Sequence, residues 1–271
     1  MQKASEEFEK RKIEIEKYFT FISFLDKDNP NLHFSEMGIE KSVKVEDELL
    51  KILKANGFLL IYNLVESACR NSLCEILDAI QLEKLSLQKL TDEVQLLWIK
   101  QRTQSLRDSK TKLETVDKQF HEIAKDVISN TIIDFGAAIK KIENPNTSEL
   151  QLFGLSGNIN ADKIRDMARI CGFESRVNPQ QEKAGADLEE VKEKRNHLAH
   201  GRVTFAECGK DYSVPQMIKF KDNAILYIEG VLTNIDQHIK QRKFKYKKGA
   251  AKKTVKAPAK KTSAKKSAKK T

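Results

Sequence analysis

Apolar residues over 4–25 recur at helical spacing, with Phe8, Ile15, Phe19 and Ile22 on one face, so the pattern predicts a helix there. The "KDNPN" stretch breaks it, since Asn-Pro favours a turn. After a polar stretch, Val45 to about Gln81 reads as one long helix. Its middle, "GFLLIYNLVESACRNSLCEILDAI", is apolar on nearly every face, as in a helix surrounded by others. Further helical segments are predicted over 86–101 and 111–141, the second amphipathic through Val116, Phe120, Ile123, Val127 and Ile132. "ENPNTSELQLFGLSGN" reads as a loop. Asn160 can then cap a short helix carrying Ile164, Met167, Ala168 and Cys171, which Gly172 ends. "ESRVNPQQEKAGA" reads as another polar loop. Residues 187–200 read as a helix closed by Gly201. "TFAECGKDYSV" is a connector with some extended character. A last amphipathic helix over 215–242 turns Ile218, Ala224, Ile225, Ile228, Leu232 and Ile235 toward a core. The sum is an all-α fold, a helical bundle, with no internal repeat.

Charge changes this picture at one end. Of the 49 Lys and Arg residues, 15 lie in 240–271, where there is no acid; residues 1–239 hold 34 basic against 39 acidic residues. The net +10 therefore combines a mildly acidic body with a strongly basic tail. The segment "KYKKGAAKKTVKAPAKKTSAKKSAKKT" has nothing to bury and repels itself, so it is expected to be disordered when free. Its composition fits a solvated appendage or a tether for any polyphosphate, and the tether is the favoured reading. Three segments follow: an N-terminal helix and connector (1–44), a helical domain (45–242) and the Lys/Ala-rich tail (243–271).

Cys69, Cys74, Cys171 and Cys208 form no CxxC pair, which argues for buried reduced thiols rather than a zinc site or disulfide framework. The charged start "MQKASEEFEKRKIEIEK" lacks the apolar core of a secretory signal, and no run reaches the length of a membrane span. A cytoplasmic location, without membrane, metal or cofactor, is expected.

The candidate chemistry lies in "KRNHLAHGRV". The apolar stripe of the 187–200 helix runs Leu188, Val191, position 195, Leu198, and position 195 is Arg. An unpaired buried guanidinium costs several kcal/mol, so Arg195 calls for an anion, a path to water, or an acidic group across a subunit interface. Asn196 and His200 stand four apart on one face. Arg195 and His200 lie about 140° apart around an ideal helix, so they meet on one phosphate only if the helix ends at His200 or a second copy packs across a two-fold axis. A histidine to move protons and an arginine fork to hold phosphate suit RNA cleavage by the neighbouring 2′-hydroxyl. The bland alternative is a basic helix end favoured by the macrodipole.

Arg195-Asn196-x-x-x-His200 resembles the R-x4-H signature of the HEPN superfamily. The text "VKEKRNHLAHGRVTFAECGKDYSV" is similar to the C-terminal part of a prokaryotic, toxin-like HEPN branch. "LLIYNLVESACRN" and "GNINADKIRDMARICGF" resemble its earlier helices, so the likeness spans about residues 45 to 242. The resemblance implies a dimer with facing motif helices and a metal-independent endoribonuclease of toxin–antitoxin or anti-phage systems. Arg195 would steady the scissile phosphate, His200 would be the acid/base and Asn196 would orient the site; His197 fills a variable position. It also implies an RNA substrate and an antitoxin protein as partners. Some members are non-catalytic nucleotide-binding, RNA-binding or partner-binding modules, and that alternative stays open, as does a chromatin-like DNA-binding protein acting through its tail.

Asn63, Glu66 and Arg70 form a second polar row at i, i+3 and i+7 of the long helix. They are either an internal Glu66–Arg70 pair at an edge, or the floor of the site with Glu66 pairing to Arg195.

Overall fold

In the computed structural model of the chain, residues 2–27, 30–107, 112–143 and 158–246 are described. The apolar run identified above is one uninterrupted helix, α2 (Asp47–Leu82), which at 1.5 Å per residue is about 54 Å long. Acidic Asp47 and Glu48 sit in its first turn, where the helix dipole favours them. Its buried residues, among them Phe58, Ile61, Leu64, Leu73 and Ile76, face several directions, because other helices pack all around it.

α1 (Gln2–Leu25) lies on α2 and buries the face foreseen, Phe8, Ile15, Phe19 and Ile22. α10 (Val214–Lys240) packs against both and buries Ala224, Ile225, Ile228, Leu232 and Ile235, with Ile218 half-buried. Lys221 of α10 donates to both carboxylate oxygens of Glu16 at 2.7 Å, which ties α1 to α10 through a nearly buried ammonium. The segment before residue 45 thus contributes one whole face of the common core.

Between α1 and α2 lies a hairpin that the polar reading missed: β1 (Asn31–Glu36) pairs antiparallel with β2 (Ile39–Lys44). Met37 (φ 52°) and Gly38 (φ 77°) form its turn, the doubly left-handed geometry of a two-residue hairpin loop. Every strand residue is exposed, so no amphipathic burial signal separated these strands from a polar connector.

After α2 come a 3-10 turn (Leu87–Lys89), α3 (Asp92–Arg102) and α4 (Leu113–Ile128). The single helix expected over 111–141 is broken. Asn130 adopts φ 50°, the Ile133 N–H donates to the Leu85 carbonyl (3.0 Å) and Gln81 Oε1 accepts from the Phe135 N–H (3.2 Å). These bonds pull the chain onto the end of α2 before α5 (Gly136–Glu143) restarts the helix. α4 buries none of its residues, and Phe120 remains exposed despite the clear stripe.

α6 (Ala161–Cys171) begins as expected: Asn160 Oδ1 accepts from the Lys163 N–H at 2.9 Å, and Gly172 ends the helix. The supposed loop after it holds α7 (Pro179–Gly185), started by an Asn178–Gln181 capping box with Pro at its first position. α8 (Leu188–Ala199) is the motif helix. The connector after it is α9 (Phe205–Lys210), started by a Thr204–Glu207 capping box. Both short helices had their cap signature in the sequence; their shortness hid the apolar period.

The four cysteines are buried free thiols, and burial pushes those of Cys69, Cys74 and Cys171 up to about 12. No helix among the described residues is long and apolar enough to cross a membrane. The fold also continues past residue 243: Phe244 is buried, its carbonyl accepts from the Thr91 N–H, and the Tyr246 N–H donates to Lys89. The basic tail proper is 247–271, and its expected disorder lies outside the described residues.

His238, 1% exposed between Phe173 and Phe244, has a pKa lowered by burial, and secondarily by Lys243, from 6.5 to about 4. Above pH 6.5 the ring is neutral in both states and stability is complete. As pH falls toward 4 the unfolded chain gains a proton that the folded chain refuses, so stability is lost, by about 2 kcal/mol at pH 5. Urea unfolding at pH 7.5 and 5 should show this loss, and His238→Leu should flatten it by a comparable amount. An unchanged slope would mean that the ring is protonated in place.

Candidate nucleic-acid cleavage site

α8 is seated on α2 by Leu188, Val191 and Leu198, all buried. Arg195 occupies the remaining place on that stripe, and its side chain is 23% exposed. Tyr62, Glu66 and Asn196 all meet its guanidinium. The Tyr62 ring of α2 lies beneath it, 3.9 Å from centroid to Cζ. Glu66, one turn further along α2, places Oε2 3.7 Å from Nη2. Nη1 donates to Asn196 Oδ1 at 2.8 Å. A stacked, partly desolvated guanidinium of this kind gains about 0.5–2 kcal/mol from the ring. Burial raises the Tyr62 phenol pKa, so the ring stays neutral. The anion that the stripe position called for is therefore present in the same chain, and burial of an unpaired charge no longer argues for a second copy.

His200 lies at the other end of the motif. α8 closes in a Schellman turn: the Gly201 N–H donates to the Leu198 carbonyl (3.1 Å) and the Arg202 N–H to the His197 carbonyl (2.9 Å). The turn needs the left-handed φ of 62° that Gly201 supplies at little cost. It leaves His200 as the C-cap, with its N–H bonded to the Asn196 carbonyl (3.0 Å) and its residue exposed. His197 is half-buried, and its backbone carbonyl helps to close that turn.

The second polar row meets the motif at Glu66. Besides Arg195, Glu66 faces Arg70 at 3.6 Å, so one acid lies near two guanidiniums and both of the ion pairs considered from the sequence are present. Asn63, Glu66 and Arg70 line a cleft of about 310 Å³ that runs along α2 beside Lys3, Arg11 and Glu143. Arg195 and His200 lie outside that lining, so the row borders the motif rather than flooring it.

Two participants were not foreseen. Tyr62 stands one turn before Glu66, disguised in an apolar run. Asn158, on the segment before α6, accepts from Asn196 Nδ2 at 2.5 Å. Its only sequence trace was its place two residues before the Asn160 cap. Among the described residues, no three His, Cys, Asp or Glu side chains gather as a metal-binding group.

The family model of the MAE_28990-like HEPN domains matches residues 1–244. The chain belongs to the HEPN superfamily. Comparison with curated proteins and with solved structures returns no match. The HEPN match begins at residue 1, so it takes in α1 and the hairpin as well as the region from 45 onward that carried the resemblance. Membership suggests an RNase-type or nucleotide-binding module.

Proposed function

We propose that this HEPN protein is a metal-independent endoribonuclease. The observation that carries the reading is the pairing of an oriented arginine on the buried stripe of α8 with an exposed histidine at the end of the same helix. In the proposed reaction the 2′-oxygen attacks the adjacent phosphorus while a base takes its proton. The bond to the 5′-oxygen breaks, that oxygen receives a proton, and a 2′,3′-cyclic phosphate remains. His200 supplies the proton transfers, Arg195 holds the charge growing on the non-bridging oxygens, and Asn196 orients Arg195.

The active unit in this reading is a homodimer with facing motif helices. With Arg195 matched inside the chain and α8 ending at His200, neither charge burial nor helix geometry requires a partner; the pair rests on the family likeness, and a two-fold axis would bring the partner's copies into one groove. The biological role that fits is a toxin or anti-phage effector, restrained by an antitoxin protein. The Glu66 contact favours a second reading, a non-catalytic module binding RNA, nucleotide or a partner, in which Arg195 is a structural ion pair.

The test is cleavage of end-labelled single-stranded RNA in excess EDTA, with identification of the new ends and sedimentation at the assay concentration. The nuclease reading expects cyclic phosphate ends, undiminished activity in chelator and a dimer. Binding without cutting favours the second reading, activity restored only by Mg²⁺ removes the metal-independent mechanism, and a fully active monomer removes the dimer. Deleting 247–271 rather than a longer segment spares Phe244. It is expected to weaken nucleic-acid affinity and flatten its dependence on log salt while cleavage of a short RNA persists. Equal slopes for the two proteins would leave the tail as a solvated appendage.

A further inference from the structure

Tyr62 does more than lie beneath Arg195. Its hydroxyl oxygen accepts from the Ile159 N–H at 3.1 Å. Asn158, the residue before, accepts from Asn196 Nδ2 at 2.5 Å, and Asn196 in turn accepts from Arg195 Nη1 at 2.8 Å. The contacts close into a ring: Tyr62 to Arg195, Arg195 to Asn196, Asn196 to Asn158, then through the backbone to Ile159 and back to Tyr62. Three pieces of chain distant in sequence are joined in it: α2, α8 and the segment 158–160. The next residue, Asn160, caps α6 and donates through Nδ2 to Glu189 Oε2 of α8 at 2.5 Å, which holds the segment against the motif helix from a second point.

A guanidinium is a plane with directional donors, and its use on a phosphate depends on where that plane points. The Tyr62 ring fixes the plane's tilt, Asn196 fixes one edge, and Asn158 fixes Asn196. Glu66 by itself would hold the charge nearby without setting the tilt, since its approach of 3.7 Å is longer than a directed hydrogen bond.

We infer that Tyr62 and Asn158 are positioning residues for the Arg195 phosphate clamp: Tyr62 as a stacking platform, Asn158 as the anchor of Asn196. The inference rests on the nuclease reading of the site. It gives the ring of Tyr62 the larger part, with the hydroxyl steadying the Asn158 segment through the Ile159 N–H, and it gives an exposed asparagine outside the R-x4-H motif a role in turnover.

The test compares Tyr62→Phe, Tyr62→Leu and Asn158→Ala in the full chain. It uses steady-state RNA cleavage and the NMR signal of the Arg195 Nε–H group, identified by its disappearance in Arg195→Lys. Tyr62→Phe should keep kcat within a few-fold and keep the ring-current shift of the Arg195 signal. Tyr62→Leu should abolish that shift and lower kcat about 10- to 100-fold with KM little changed, the size of effect seen when a reacting group is misplaced by about 1 Å. Asn158 is exposed, so Asn158→Ala should fold normally; it should lower kcat about tenfold and broaden the same signal. Wild-type kcat in both Tyr62→Leu and Asn158→Ala would overturn the inference and leave the nuclease reading standing. Absence of cleavage by the wild-type protein would sink the nuclease reading instead. The Arg195 signal would then decide the platform alone, and an unshifted signal in Tyr62→Leu would overturn it.

Discussion

Arg195→Ala and His200→Ala are each expected to lower RNA cleavage by about 10²–10⁴-fold, the range found when a general acid/base or a preorganised charge is removed. The two should differ in stability. His200 is an exposed C-cap whose backbone makes the helix-end bond, so its alanine variant should melt with the wild type. Arg195→Ala removes the group stacked on Tyr62 and leaves Glu66 with Arg70 at 3.6 Å, which should cost about 1–2 kcal/mol. Arg195→Lys separates charge from shape. It keeps the cation but loses the planar fork, and should recover only a minor part of the activity. Initial rates on labelled RNA beside thermal melts check all three. Full activity in a normally folded Arg195→Ala or His200→Ala protein would remove the catalytic assignment.

Gly209→Ala should be the most damaging methyl group in the molecule among the described residues. A Cβ at Gly209 of α9 would lie 1.8 Å from the Lys51 carbonyl oxygen and 2.7 Å from its carbon, both in the backbone of α2. No side chain can rotate to make room, so α9 must retreat by about 1.5 Å to restore ordinary contact. The retreat would disturb Tyr212, which packs edge-on against Phe58 at 4.9 Å, accepts from Lys54 Nζ through its carbonyl and donates to Glu190 of α8 through its hydroxyl. Overpacking against fixed backbone should cost about 3 kcal/mol, equivalent to a fall of roughly 6–12 °C in Tm. Gly201→Ala is the informative comparison. Nothing lies within 4 Å of its added Cβ, yet φ is 62°, so it should cost only about 1–2 kcal/mol through backbone strain. Equal melting of Gly209→Ala and wild type would contradict the close seating of α9 on α2.

The long helices and most of their ends were legible because the signals are local. The period of Phe8, Ile15, Phe19 and Ile22 and the Asn160 cap act over one to four residues, within reach of a sequence pattern. The motif was legible for the same reason. Arg195 stood out against Leu188, Val191 and Leu198, and Gly201 marked the helix end that exposes His200. Even the need at Arg195 for an anion, a path to water or an acidic group across an interface followed from desolvation alone.

What met that requirement was decided in three dimensions. Tyr62 and Glu66 lie more than 120 residues before Arg195, and only the rotation of α8 about its axis on α2 selects them from the many side chains along that helix. Asn158 reaches Asn196 because Tyr62 and the Asn160 cap hold its segment there. The break at Asn130 needed Gln81 and Leu85 to capture the passing chain, against an intact amphipathic stripe. The hairpin has no buried side to announce it. Period and capping are properties of a single helix, and the sequence by itself determined these. A guanidinium plane is set by distances of 3–4 Å between separate elements, and a shift of one side chain's width in helix packing would give Arg195 different neighbours.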